Sequence, residues 1–399
     1  MQSDTTTSST DVPEGQAEVV VSDLVRKARL AQAVYAEFDQ GGVDEVVTAV
    51  AWTLLEPASN RRLSEQAVAD TGLGRVEDKI IKNHRKTLGL LRDLKRARTV
   101  GVVAEYPELG LIEMARPVGV VGAVVPSTNP VATPYNKTLN ALKGGNAVIL
   151  APSPKGDAVC EELVGLMRAA LRRVGAPEQL VQKLPSPISK AMTHEMMRQV
   201  DLVVVTGSQS NVRAAATCGT PAIGVGAGNV PSIVDETCDI GLAADKITAS
   251  KTFDNATSCS SENSMIVVSD VYDPMIEALQ DRGARLLDSQ EKERLRSAMW
   301  SDGRLSGRVT AKSADEILDQ AGIERGGRSV SIILVEEDVP DAGSKFSDEK
   351  LSPVLTVFRA RDFDHASDLA EAVLDIKGKG HSISIHSQND KRILQLGLK

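Results

Sequence analysis

One thiol, Cys259, stands in "TFDNATSCSSENSMIVV" (252–268), flanked by Ser258, Ser260 and Ser261 just before an apolar, strand-like run. A cysteine at such a junction is a nucleophile if amides or cations hold it as thiolate. It is an inert packed residue if apolar burial keeps it protonated, and the local sequence leaves both readings open. A second segment, "VVVTGSQSNVR" (203–213), reads as a strand, then Thr206-Gly207-Ser208, then a helix. Amides at that helix start suit phosphate oxygens, and a plain serine N-cap fits nearly as well. "GVGAGN" (224–229) has the glycines of a dinucleotide loop, but such a loop requires a following helix, and here Pro231 and a short strand follow. A tight backbone passage beside a ligand or another segment is the better reading. His84, His194, His365, His381 and His386 form no HExxH, and no cysteine has a CxxC partner, so no metal site is expected. His381 and His386 fall on one expected strand, on opposite faces, and all five histidines read as structural or solvent-facing.

These groups need a scaffold. At 399 residues the chain exceeds the roughly 250–300 at which one core stops growing, so two domains are expected. An apolar fraction of 42% with 25% charged residues is ordinary for a globular enzyme. A net charge of −8 without a Lys/Arg stripe excludes nucleic acid as the main partner. The opening "MQSDTTTSSTDVPEGQ" lacks a basic start and an apolar core, so residues 1–16 read as a disordered tail rather than a secretory signal. No apolar run reaches membrane length, and four scattered cysteines point to a reducing, cytoplasmic setting.

Residues 17–97 carry 3.6-type periodicity and read as helices; 98–117, "RTVGVVAEYPELGLIEMARP", switches to two β-rich runs around a turn, a hairpin. From 118 to 225 strands and helices alternate, which predicts a doubly wound, mostly parallel sheet. The alternation restarts over 226–399 as a second α/β domain.

Six segments in fixed order, "MARPVGVVGAVVPSTNP", "LKGGNAVILAPSP", "VVVTGS", "GVGAGNVPSIVDET", "FDNATSCSSENS" and "EKLSPVL", resemble the aldehyde dehydrogenase superfamily, most of all its coenzyme-A-acylating branch. The resemblance spans about residues 20–399. It implies a Rossmann-like cofactor domain, a catalytic domain and an oligomerisation hairpin at 98–117. It also implies Cys259 as nucleophile, and Asn129 with Thr128 beside the nicotinamide and the oxyanion. Pro126, Ser127, Thr128, Ser153, Thr206, Gly207, Ser208 and Glu349 become the cofactor residues, Gly207 and Ser208 at the phosphates and Glu349 at the nicotinamide ribose. The cofactor is NADP or NAD, coenzyme A is co-substrate, and a homo-oligomer, dimer or tetramer, is implied.

Departures from the family pattern refine the chemistry. Hydrolytic members carry a glutamate where this chain has Val225, and no carboxylate occurs from Ala222 to Ser232. Without a base for water, a thioester on Cys259 should pass to coenzyme A, whose thiol is far more nucleophilic. After the "NAVIL" strand, Ala151 and Pro154 replace the usual lysine and glutamate; Lys155 could attract a 2′-phosphate, so NADP is expected to be tolerated. Ser258, Ser260 and Ser261, with Asn136 and Lys137, suit a small aldehyde with an anionic or strongly polar head, and the resemblance carried by "PSTNPVATP" and "NATSCSSENS" implies that it is sulfoacetaldehyde. Acetaldehyde, propanal and succinate semialdehyde are the alternatives, as are hydrolysis with Glu262 as base and an inactive remnant. Relatives continue past "GHSISIHS" with a strand that joins the hairpin, so the catalytic domain is expected to be C-terminally incomplete.

Overall fold

The computed structural model describes residues 14–301 and 303–399. Residues 1–13 of the expected tail lie outside them. Glu14–Gln16 do not belong to a tail but open a helix, because Ala17, Val21, Val25 and Ala28 repeat at helical spacing and are buried. The chain divides into two compact units: one runs up to Gly72 and takes in Lys79–Gly226, the other joins Leu73–Asp78 to Ala227–Lys399. Residues 73–78, expected with the N-terminal helices, go with the second unit for a local reason. Arg75 N–H donates to Asp254 Oδ1 (2.8 Å), and Asp78 Oδ2 accepts from Asp254 N–H (2.9 Å).

The first unit begins with helices α1 (Glu14–Tyr35), α2 (Gln40–Leu55), α3 (Pro57–Thr71) and α4 (Val76–Leu94), the last crossing the boundary at Asp78. Strands β1 (Gly101–Tyr106) and β2 (Leu111–Ala115) form the expected antiparallel hairpin, with a register slip between Val102 and Ala104. Then β3 (Val120–Val124), α5 (Ala132–Lys143), β4 (Ala147–Ala151), α6 (Asp157–Arg173), β5 (Val181–Lys183), α7 (Lys190–Gln199), β6 (Leu202–Thr206), α8 (Gln209–Thr217) and β7 (Ala222–Val225) alternate. The strands make one parallel sheet in the order β5-β4-β3-β6-β7. Every residue of β3 and β4 is buried, as strands covered on both faces require. The chain leaves β3 towards β5 and returns to lay β6 on its other side, so the topological switch point lies between β3 and β6.

The second unit contains β8 (Val230–Val234), α9 (Ile240–Thr252), β9 (Glu262–Val268), α10 (Ser269–Gln280), β10 (Ala284–Leu286), α11 (Ser289–Met299), α12 (Ala314–Gln320), β11 (Ile332–Glu336), β12 (Val354–Ala360), α13 (Phe363–Ile376), β13 (Ser384–His386) and α14 (Asp390–Leu398). Its six strands are parallel, in the order β10-β11-β12-β9-β8-β13. Alternation divides the core: Met265 and Val267 of β9 pack with α9 and α10, Ile266 and Val268 with α13. "GVGAGN" leads into β8 and no helix follows it. His381 precedes β13, so it shares no strand with His386. Among the described residues, no helix is long and apolar enough to cross a membrane and no cluster of His, Cys, Asp and Glu could hold a metal.

Candidate active site

In the first unit the carboxyl ends of β3, β4 and β6 carry Pro126–Pro130, Ser153 and Thr206–Ser208, around the switch point where open α/β sheets bind ligands. Two of these loops touch: Gly207 has φ +140°, and a Cβ placed on it would stand 3.6 Å from that of Pro126. Ser208 caps α8, its Oγ accepting from Asn211 N–H (3.3 Å) and bonded to Ser210 Oγ (2.9 Å). Capping therefore occupies this hydroxyl, while the first-turn amides of α8 carry the positive end of the helix dipole. At the end of β4, Ser153 Oγ is buried with no partner among the described residues, a polar group that a ligand could satisfy. Lys137 is buried and donates to the carbonyls of Val124 (2.5 Å) and Val204 (2.9 Å), near the ends of β3 and β6. Burial pushes its pKa down to about 7. The ammonium thus serves strand carbonyls, whereas the sequence reading gave it to a substrate head group. Two more lysines reach the 126–130 loop: Lys79 Nζ donates to Thr128 O (3.3 Å) and Lys82 Nζ to Asn129 Oδ1 (3.0 Å).

In the second unit the groups collect at the opposite end of the sheet, before the amino ends of three adjacent strands: Gly228 before β8, Cys259 before β9 and Glu349 before β12. Cys259 and Ser260 form the corner of a turn closed by Ser261 N–H to Ser258 O (3.0 Å). Gly228 packs on that turn, and a Cβ there would come 2.3 Å from the Cys259 carbonyl oxygen. The Gly228 N–H donates to Glu349 Oε1 (3.1 Å). Burial raises the Glu349 carboxyl to about 7, against the pull of that amide. Lys251, wholly buried in the wall of the same cleft, donates to Glu262 O (2.7 Å), and burial lowers it to about 8. Below that value it is a cation, the kind of neighbour that favours a thiolate. Two other thiols are poorly placed to react: burial pushes Cys160 up to about 12 and Cys238 up to about 11.

Backbone strain concentrates at this cleft. Among the described residues five that are not glycine have left-handed φ: Asp254 (51°), Asn255 (52°), Ala256 (55°), Ala311 (59°) and Leu351 (42°). Each costs about 1–2 kcal/mol and persists only where its surroundings over-determine it. Those surroundings are specific. Thr257 Oγ1 donates to Asp254 Oδ2 (2.6 Å), Asn255 Nδ2 to Ala311 O (2.9 Å), and Ala311 N–H to Leu351 O (2.8 Å). Ala256 and Leu351 then line the cleft with Cys259. In the cleft wall Asn263 Nδ2 donates to Asn229 Oδ1 (2.5 Å) and Asp348 O (2.6 Å), and Asn229 Nδ2 donates to Ser347 O (2.8 Å). Strained turn and buried amides hold the thiol in one place.

Of the sequence-predicted residues, Pro126, Ser127, Thr128, Asn129, Ser153, Thr206, Gly207 and Ser208 fall at the first sheet's carboxyl ends, and Ser258, Cys259 and Glu349 line the second unit's cleft. Ser260 is exposed and outside the cleft, bonded to Ser258 Oγ (3.0 Å). Ser261 lines it instead, with an Oγ that is buried and has no partner among the described residues. Glu262, the alternative base, does not line the cleft. Sequence reasoning missed Lys251, although the buried Ala243, Ile247 and Lys251 share a helix face at four-residue spacing.

The aldehyde dehydrogenase family model matches residues 3–397. The chain belongs to the aldehyde dehydrogenase family, in its CoA-acylating branch. Among acylating aldehyde dehydrogenases, a sulfoacetaldehyde dehydrogenase (acylating) from Cupriavidus necator is 55% identical over 386 residues, which is 96% of this chain and 78% of that protein. The crystal structure of an acetylating aldehyde dehydrogenase from Geobacillus thermoglucosidasius superposes with a TM-score of 0.93 at 33% identity, over 98% of this chain and 86% of that one. A Rhodopseudomonas palustris propionaldehyde dehydrogenase, crystallised with bound CoA and an acylated cysteine, gives 0.84 at 29% identity, over 95% and 85%.

Proposed function

We propose that the protein oxidises a small anionic aldehyde, sulfoacetaldehyde, to its acyl-CoA with a nicotinamide dinucleotide through a thioester on Cys259. The Cys259 thiolate adds to the carbonyl carbon, whose π electrons move to oxygen; Cys259 N–H and the Asn129 amide are the donors assigned to that oxyanion. A nicotinamide dinucleotide, when bound, would supply a hydride acceptor; as the C1–H bond breaks with its electron pair, the oxyanion's electrons return and the carbonyl reforms as a thioester on Cys259. The CoA thiolate then attacks the acyl carbon and expels Cys259.

The observation that carries this reading is Gly228. The glycine segment lies directly on the Cys259 carbonyl oxygen, without a carboxylate anywhere from Ala222 to Ser232. Positioned base catalysis is worth about 10²–10⁴-fold, so water attack is slow here while a thiol needs less help. A second, hydrolytic reading rests on Glu349, whose raised carboxyl could activate water from the cleft wall. In the leading reading its carboxylate holds the nicotinamide ribose, and its bond to Gly228 N–H orients it.

The hydroxyls of Ser258 and Ser261 and the name of the Cupriavidus relative support a sulfonate-bearing aldehyde. Exposed Lys155 beside Ala151 and Pro154 supports tolerance of NADP as well as NAD, and Ser153 Oγ supports a nucleotide at the end of β4. The hairpin leaves Leu111, Ile112 and Met114 more than half exposed, which supports a homo-oligomer. The test is reduced-cofactor formation from sulfoacetaldehyde, acetaldehyde, propanal and succinate semialdehyde, with NAD or NADP, with and without CoA. We expect sulfoacetaldehyde to give the highest kcat/KM and turnover to require CoA. Faster turnover of the uncharged aldehydes defeats the substrate assignment; equal turnover without CoA favours the Glu349 reading.

A further inference from the structure

Helix α4 buries two lysines, Lys79 and Lys82, on the face it shares with Asn83 and Thr87. Burying an ammonium is unfavourable unless acceptors meet it, and the acceptors of the two include consecutive residues of one loop: Thr128 O and Asn129 Oδ1. The second contact has a consequence for the amide. A lysine ammonium has three donors and no acceptor, so the Asn129 atom that faces it must be Oδ1. Nδ2, which donates to no other described residue, is therefore the atom turned away from Lys82. A cation on Oδ1 also draws electron density from the amide, which strengthens its N–H groups as donors.

We infer that Lys82 is a positioning residue that fixes the Asn129 side chain with its Nδ2 presented to the aldehyde oxygen. The inference rests on the proposed role of Asn129 in holding the oxyanion. Without Lys82 the amide can rotate about its last torsion and offer Oδ1 instead, an acceptor that repels a developing oxyanion. Lys79 fixes the backbone of the preceding residue, and Lys82 sets which end of the amide is offered.

The test is a cycle of Asn129→Ala, Lys82→Met, their double variant and Lys82→Arg, each checked for a native unfolding midpoint and for stoichiometric alkylation of Cys259. Kinetics follow with protiated and C1-deuterated aldehyde. Removing one oxyanion donor typically costs 10²–10³-fold in kcat, and we expect Asn129→Ala to lose about that much. We expect Lys82→Met to lose at least about tenfold in kcat, a smaller change in aldehyde KM, and a larger deuterium effect as hydride transfer becomes limiting. The double variant should be no slower than Asn129→Ala, because coupled residues are not additive, and Lys82→Arg should recover most of the rate. Losses that multiply in the double variant overturn the inference, as does a Lys82→Met enzyme of unchanged kcat. An unchanged kcat in Asn129→Ala removes the oxyanion role of Asn129 itself, a separate failure.

Discussion

The two parallel sheets place their chemistry at opposite ends. The first unit gathers Pro126–Asn129, Ser153 and Thr206–Ser208 at strand carboxyl ends, where strand order alone opens a crevice. The second gathers Gly228, Cys259 and Glu349 at strand amino ends, where topology offers no such crevice. There the site is made by force: five left-handed residues, a glycine against the carbonyl of Cys259, and buried asparagines that tie three strands together. Topology suffices to place a binding surface. A reacting atom needs tighter restraint, because a misplacement of about 1 Å can cost 10²-fold in rate.

That contrast can be broken most sharply at Gly228. Its alanine variant must move the Cys259 turn, and we expect kcat to fall about 10²-fold. Gly165, where an added Cβ would meet no other atom within 4 Å, should accept alanine with unchanged kcat; equal kcat in the two variants would show that the passage beside Cys259 is slack. Next, Asn255→Ala removes the tether to Ala311, and denaturant unfolding should report a loss of about 1–3 kcal/mol together with altered Cys259 alkylation. Stability lost without any change in alkylation would separate the strain from the thiol. In the first unit the matching experiment is gentler: Ser208→Ala removes one N-cap, about 0.5–2 kcal/mol, and should raise cofactor KM at constant kcat.

The smallest effect is a proton. Glu349 titrates near 7 rather than at 4.5, because burial favours the neutral form. Its contribution to stability is full below 4.5 and is lost as pH rises through 7. If the carboxylate holds the ribose, cofactor KM rises as pH falls through 7, by at most about tenfold per pH unit for one proton. Glu349→Gln should flatten that profile, and a slope that survives the substitution assigns the proton elsewhere.

The difference between the sheets also explains what the sequence reveals. The strand–turn–helix pattern reports the first unit's loops directly, since Thr206-Gly207-Ser208 must end one element and cap the next. The second site is legible through Cys259, the missing carboxylate and the family pattern, but not through its restraints. Asp254, Asn255 and Ala256 take left-handed φ without a glycine to announce it, and their partners Ala311 and Leu351 come from distant segments. Ser260 and Ser261 are indistinguishable by composition. The turn at Cys259 decides which of them faces the cleft.

The central proposal is a thioester on Cys259, made by hydride transfer and discharged by a thiol. Mass measurement of the Cys259 peptide after one turnover with sulfoacetaldehyde and oxidised cofactor tests it directly. We expect the acyl adduct on Cys259 to persist in buffer and to disappear on addition of CoA with stoichiometric formation of acyl-CoA. An adduct on another residue, or one lost at the same rate with and without CoA, would contradict that chemistry.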